Sequence, residues 1–101
     1  MLTSKQRAYL RALAVDIDTI LIVGKGGMSS EIITQAETAL LPRELIKGKV
    51  LVESAPLSPR EAAEQLALAT ASEVVQVIGS KFVLYKKSPK DPKIQLPKAK
   101  K

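Results

Sequence analysis

The spacing of apolar residues changes several times along the chain, and each change marks a new element. Leu2, Gln6, Tyr9, Leu10 and Leu13 fall within about one third of a helical circumference at 100° per residue. Thr3 stands ready as an N-cap with Gln6 three residues on, the spacing of a capping box. Arg7 and Arg11 share another face with Ser4, so this helix buries one stripe and exposes an arginine pair. Asp16 to Asp18 ends it. Thr19-Ile20-Leu21-Ile22-Val23 is short, apolar and mostly β-branched, and Gly24 bounds it, which predicts a buried strand. A second helix opens at Ser29 or Ser30 with Ile32, Ile33, Ala36, Ala39 and Leu40 on one face, and Pro42 closes it.

Residues 44–53 alternate as a second strand, with Ile46, Gly48, Val50 and Val52 on one side and Leu45, Lys47, Lys49 and Leu51 on the other. Gly48 stands where a β-branched or apolar residue is expected, and reads as a weak point in that strand. Ser58-Pro59-Arg60-Glu61 combines serine at the cap, proline at N1 and glutamate at N3. The third helix buries Ala62, Ala63, Leu66, Ala69 and Thr70 and leaves Leu68 off the stripe. Two last strands, 74–78 and 82–85, flank a glycine-led Gly79-Ser80 hairpin. The order α-β-α-β-α-β-β predicts a single α/β domain in which a mixed four-stranded sheet packs against helices.

The 101 residues suffice for one small core, and 46% hydrophobic content is ordinary for a folded chain. The formal charge of +6 is unevenly spread. Residues 1–85 carry nine Lys/Arg and nine Asp/Glu, whereas residues 86–101 carry seven Lys against Asp91. Residues 1–86 are therefore read as the domain and 87–101 as a largely solvated lysine- and proline-rich tail, with Ile94–Leu96 making a short edge contact. The acids of the body gather on the second and third helices.

Composition also removes function classes. Without cysteine there is no disulfide framework or thiolate metal site. Without histidine the usual neutral-pH base and the commonest transition-metal ligand are missing. No metal or cofactor is expected. The first fourteen residues carry Lys5, Arg7 and Arg11 in an amphipathic pattern and lack a signal-peptide core, and the apolar run at Ile20–Val23 is far below the ~20 residues that span a bilayer. A cytoplasmic location and no membrane partner are the expectation.

One loop can hold chemistry. Gly24-Lys25-Gly26-Gly27 joins a strand to a helix, where three glycines admit close backbone approach and the helix start presents unpaired N–H groups to a phosphate. A tight strand-to-helix turn needs only one or two of these glycines. A P-loop is excluded, because the lysine precedes two glycines and no Ser/Thr follows it. A dinucleotide fingerprint fails too: Ser29 takes the last glycine position and the chain is too short for that fold. G-x-x-G is instead the backbone-clamping loop of KH-type RNA modules.

With that loop in view, the chain resembles the YhbY family, the stand-alone bacterial form of the CRM (chloroplast RNA splicing and ribosome maturation) domain. The matching stretches are LTSKQRAYLRALA at 2–14, VGKGG at 23–27, RELIK at 43–47, VQVIGSKFVLYK at 75–86 and IQLP at 94–97. The resemblance implies an open-faced α/β sandwich similar to the C-terminal domain of bacterial translation initiation factor three. It also implies RNA binding and association with precursors of the large ribosomal subunit. The family's glycine loop carries over to Gly24, Lys25, Gly26 and Gly27, and its basic first helix to Lys5, Arg7 and Arg11.

Residue placement adds Lys47 and Lys49, alternate positions on one strand face, to the candidate RNA-binding set. Tyr9 and Phe82 fall on apolar stripes and are expected in the core, which leaves almost no stacking platform. Recognition is then expected of RNA shape and backbone, and to be steeply salt-dependent. The expected partner is RNA (precursor large-subunit rRNA or ribosomal particles), bound without catalysis by a monomer that takes no small-molecule substrate. The alternative is a protein-interaction module tethered to ribosomes or anionic surfaces by its basic tail.

Overall fold

Every helix start predicted from the sequence is built from a side chain on a backbone amide. The computed structural model describes residues 2–88 together with Ile94 and Leu96. Helix α1 (Ser4–Ala14) opens on the capping box: the Gln6 amide donates to Thr3 Oγ1 and the Thr3 amide to Gln6 Oε1, both at 3.1 Å. Ser29 caps α2 (Ser30–Arg43) by accepting the Ile32 amide at 3.2 Å. Ser58 and Glu61 form a second box at the head of α3 (Pro59–Thr70), with Pro59 at its first position. Caps of this kind contribute ~1 kcal/mol each.

Four strands, β1 (Thr19–Val23), β2 (Leu45–Val50), β3 (Glu73–Ile78) and β4 (Lys81–Tyr85), form one mixed sheet in the order β1-β2-β4-β3. β1 and β2 are parallel through the α2 crossover, while β4 runs antiparallel to both β2 and β3. The Gly79-Ser80 loop folds β4 back between β2 and β3. The crossover through α3 therefore passes over one strand instead of pairing its two ends.

The sheet is covered unequally. Helices α2 and α3 bury one face, where Leu21, Val23, Ile46, Val50, Phe82 and Leu84 meet Ile32, Ala36, Leu40, Ala62, Ala63 and Leu66. On the other face α1 lays Leu2, Leu10 and Ala14 over Leu45, Val75, Val83 and Tyr85 only. The ends of β1 and β3 and the start of β4 stay open on that side. The result is the open-faced α/β sandwich.

Several expectations change in detail. β2 stops at Val50, because its partner β1 ends at Val23; the Leu51 amide makes one more bond to the Val23 carbonyl, and a turn follows. Pro42 sits inside the last turn of α2, and the chain leaves that helix at Glu44 with φ 63°. α3 buries Ala67 in place of Ala69 and leaves Leu68 in solvent. Tyr9 is exposed, since Leu10 and Ala14 carry the contact and set Tyr9 on the helix flank. Phe82 is in the core as expected.

Gly48 is no weak point. It pairs with Phe82 across the β2–β4 ladder, and the Phe82 ring lies over it. An added Cβ would meet that ring, with Cε1 at 2.6 Å and Cε2 at 2.9 Å. The glycine makes room for the largest fully buried side chain in the core.

The expected division between domain and solvated tail falls largely on residues outside those described. Ile94 and Leu96 pack against the α1-side cluster, on the face of the sheet and not along an edge. Glu44 anchors this segment. Its carboxylate accepts the Ser88 amide at 2.6 Å and the Ile94 amide at 2.7 Å, while its carbonyl accepts the Lys86 amide at 2.8 Å.

Candidate nucleic-acid interface

Gly24-Lys25-Gly26-Gly27 is a β-turn closed by the Gly27 amide on the Gly24 carbonyl at 3.0 Å. Its four residues have different duties. Gly27 has φ +63°, is buried, and an added Cβ would meet Pro56 Cγ at 2.8 Å, so glycine is required there by the fold. Gly26 has no positive φ, and nothing lies within 4 Å of an added Cβ. Its bareness is spare space on the outside of the turn. The amides of Lys25 and Gly26 bond to no described group, and both residues are exposed. Glu31, in the first turn of α2, opposes an anion on the helix axis itself. The turn tip, not the helix start, is thus the accessible donor.

The strand cations lie on the open face. Ile46 and Val50 enter the α2–α3 core, so Lys47 and Lys49 project to the α1 side. There Arg11 and Lys47 line one groove of about 320 Å³ with Lys81, Gln76, Ile78 and Val83. No carboxylate lines it. Lys49 is the register partner of Lys81 and sits one residue before Val50, which pairs with Val23 beside the glycine turn. Lys49 and the turn therefore share one end of the sheet.

Lys5 and Arg7 are not among the residues lining this groove. Lys5 precedes Arg11 by six residues, about 9 Å along the helix, towards the end where the Leu2 amide donates to Glu73. The structure brings together Arg11, Lys47 and Lys49, sets the turn at the same end, and leaves Lys5 apart.

Charge sign separates this groove from a larger hollow. That one, about 590 Å³, is lined by Asp16 and Asp18 together with Arg43 and apolar residues including Ile20 and Ile94. Paired carboxylates disfavour a polyanion there. The acids Glu31, Glu37, Glu61 and Glu64 are exposed on α2 and α3, on the far side of the sheet. Within a body of zero net charge, Arg11, Lys47 and Lys81 thus gather in one groove of the α1 side, apart from the hollow that holds Asp16 and Asp18. Among the described residues no group of three or more acidic side chains could hold a metal, and no helix is long and apolar enough to cross a membrane.

Sequence reading missed two residues of consequence. Lys81 follows the hairpin and alternates with Val83 and Tyr85, which gives its side but not its neighbours; only the β2–β4 register sets it beside Lys49. Glu44 carries no sequence signal, because its partners are backbone amides more than forty residues away.

Tyr85 is buried beneath α1. Burial pushes its phenol above the ordinary value of 10.0, and the charges of Glu44 and Glu73 push the same way. The folded state holds this proton more tightly than the unfolded chain does. The associated stability is therefore complete below pH 10 and is lost as pH rises through the folded-state value. The Tyr85 phenol should titrate at higher pH in the folded protein than in the urea-unfolded chain, with unfolding favoured over the same range; identical midpoints in the two states would contradict this.

Fold and surface define a small mixed-sheet domain that presents a glycine turn and a cationic sheet face. The family model for the CRS1 / YhbY (CRM) domain matches residues 2–86, and the chain belongs to that family. It is 42% identical over 97 residues to the probable RNA-binding protein YqeI of Bacillus subtilis, covering 96% of this chain and all of that one. An RNA-binding protein of Haemophilus influenzae is 34% identical over 101 residues, covering 96% of each chain. The solution structure of the hypothetical protein SAV1595 of Staphylococcus aureus, described as a candidate RNA-binding protein, superposes with a TM-score of 0.78 at 47% identity, covering 96% of this chain and all of that one.

Proposed function

We infer that this protein is a non-catalytic RNA-binding factor that engages structured rRNA during assembly of the large ribosomal subunit, acting as a monomer in the cytoplasm. The observation that carries this reading is the bare, exposed tip at Lys25-Gly26, at the same sheet end as Lys49. The free amides of the turn and the Lys25 ammonium hold phosphates of an RNA backbone, and Gly26 lets that backbone come close. Arg11, Lys47 and Lys49 extend the contact, with Lys5 and Arg7 at its margin. Family membership and the names of the relatives support RNA as the partner. The assembly role rests on the family resemblance alone.

The experiment is a pair of glycine substitutions. Gly26→Ala should fold with an unchanged or slightly raised Tm, since alanine fits there and restricts the unfolded chain, yet bind an rRNA fragment about tenfold more weakly, ~1.4 kcal/mol. Lys25→Ala should weaken binding and flatten its salt dependence, with a log–log slope smaller by roughly 0.7 to 0.9 for one lost phosphate contact. If both variants bind as the wild type does and only removal of residues 87–101 weakens binding, the turn is not the site. In cells, crosslinked RNA should be enriched in rRNA; crosslinks spread evenly over mRNA would remove the assembly role.

A further inference from the structure

The open face carries more than a field of positive charge. Register sets one residue from each strand on a single line across the sheet: Ile22 on β1 pairs with Lys49 on β2, Lys49 with Lys81 on β4, and Lys81 with Ile78 on β3. Ile22 is 55% exposed and Ile78 62%, on the two edge strands, with the lysines between them. Strands ~4.8 Å apart make this row about 14 Å wide. α1 covers the Leu45, Val83 and Tyr85 positions and stops short of it. Arg11 and Lys47 stand just below, in the groove shared with Lys81 and Ile78. Glu53 lies in the adjoining hollow with Lys49 and forms no ion pair with it among the described residues.

We propose that this row is a binding platform for an unpaired stretch of RNA, running across the strands, with phosphates on Lys49 and Lys81 and sugar or base faces on Ile22 and Ile78. The occupant follows from the chemistry. Lys81, Arg11 and Lys47 share a groove that no carboxylate lines, which selects a polyanion, and an exposed aliphatic residue at each end of the row gains only from an apolar surface. A paired helix turns its phosphates outward and hides its bases, so it satisfies the lysines and wastes the isoleucines. An unpaired strand offers both kinds of surface. A row of this width suits two or three nucleotides, as on other sheet platforms. Because aliphatic side chains do not stack as aromatic rings do, the platform accepts any base. It rests on the RNA-binding reading above and adds the kind of RNA that reaches beyond the turn: a helix with an adjoining single-stranded segment.

The test compares two probes, a blunt RNA hairpin and the same hairpin with an unpaired oligouridine extension. The wild-type protein should bind the extended probe about tenfold more tightly than the blunt one. Ile22→Ser with Ile78→Ser should bring that ratio close to one, and Lys81→Gln should lower the log–log salt slope for the extended probe by about 0.7. All three side chains point to solvent, and circular dichroism and Tm of each variant establish that it folds. A wild-type ratio near one, or a ratio that survives both sets of substitutions, overturns the platform. Loss of a nuclease-resistant protein partner in the isoleucine variant, with the ratio unchanged, makes the row a protein contact and overturns it equally. Failure of the wild type to bind either probe instead overturns the RNA-binding reading itself.

Discussion

Gly48→Val should cost at least about 3 kcal/mol of folding stability, the upper part of the range for overpacking a close-packed core. For a chain of this length that is a fall in Tm of about 12 to 24 °C. The cause is local and steric. Phe82 has no solvent-exposed surface, and its ring occupies the volume that any Cβ at position 48 requires. The ring has nowhere to go, because Leu84, Ile46 and the α2–α3 layer surround it in the same cluster. Gly48→Ala should show the same effect with smaller magnitude. The decisive control is Phe82→Ala: alone it opens a cavity costing ~3–5 kcal/mol, but combined with Gly48→Val the two should be far less than additive, because the valine fills part of the space. Thermal unfolding of the two single variants and the double variant measures this coupling. A Gly48→Val protein with wild-type Tm, or strict additivity, would show that the ring contact does not hold the two strands together.

Gly48 also shows where sequence reading ran out. From the chain alone a glycine inside a strand is an entropic weakness, since its partner is invisible until the β2–β4 register is known. Once Phe82 is opposite, the same glycine becomes a requirement. The helix starts were legible because Thr3/Gln6, Ser29 and Ser58/Pro59/Glu61 act on amides three residues away. The β3–β4 hairpin was legible for the same reason. Strand order was not, because nothing local in residues 81–85 says that they insert between β2 and β3. The candidate site divides in the same way. The glycine turn is contiguous and could be read directly, and the alternation of Lys47 and Lys49 gave their common side. The alignment of Lys49 with Lys81, and of both with Ile22 and Ile78, is a product of register across four strands.

Glu44→Ala should be the most disruptive single change outside the sheet core. The Glu44 side chain is fully buried, and its two carboxylate oxygens receive the amides of Ser88 and Ile94. Removing it leaves two donors without their acceptor, at about 1 to 3 kcal/mol for each that water cannot reach. Alanine inherits the φ of 63° and relieves none of the backbone strain at the end of α2. We expect a loss of about 2 to 4 kcal/mol together with release of the segment that carries Ile94 and Leu96. Glu44→Gln should recover only part of this, because its amide group offers one acceptor and turns a donor towards the other N–H. Hydrogen exchange reads the release directly: the Ile94 amide should be protected in the wild type and exchange freely in Glu44→Ala. The consequence for function follows from charge. Residues 86–101 hold all of the net +6, and Glu44 ties Lys86, Ser88 and Ile94 of that stretch to the α1 side of the sheet, the side that carries Arg11, Lys47 and Lys49. Freed from the anchor, Lys86 and Lys87 still attract RNA but no longer from a fixed position. The salt slope of RNA binding should therefore stay close to that of the wild type while affinity falls. An unchanged affinity with a released Ile94 amide would mean that the tail acts as a mobile charge alone; protection of that amide in Glu44→Ala would mean that Glu44 is not its anchor.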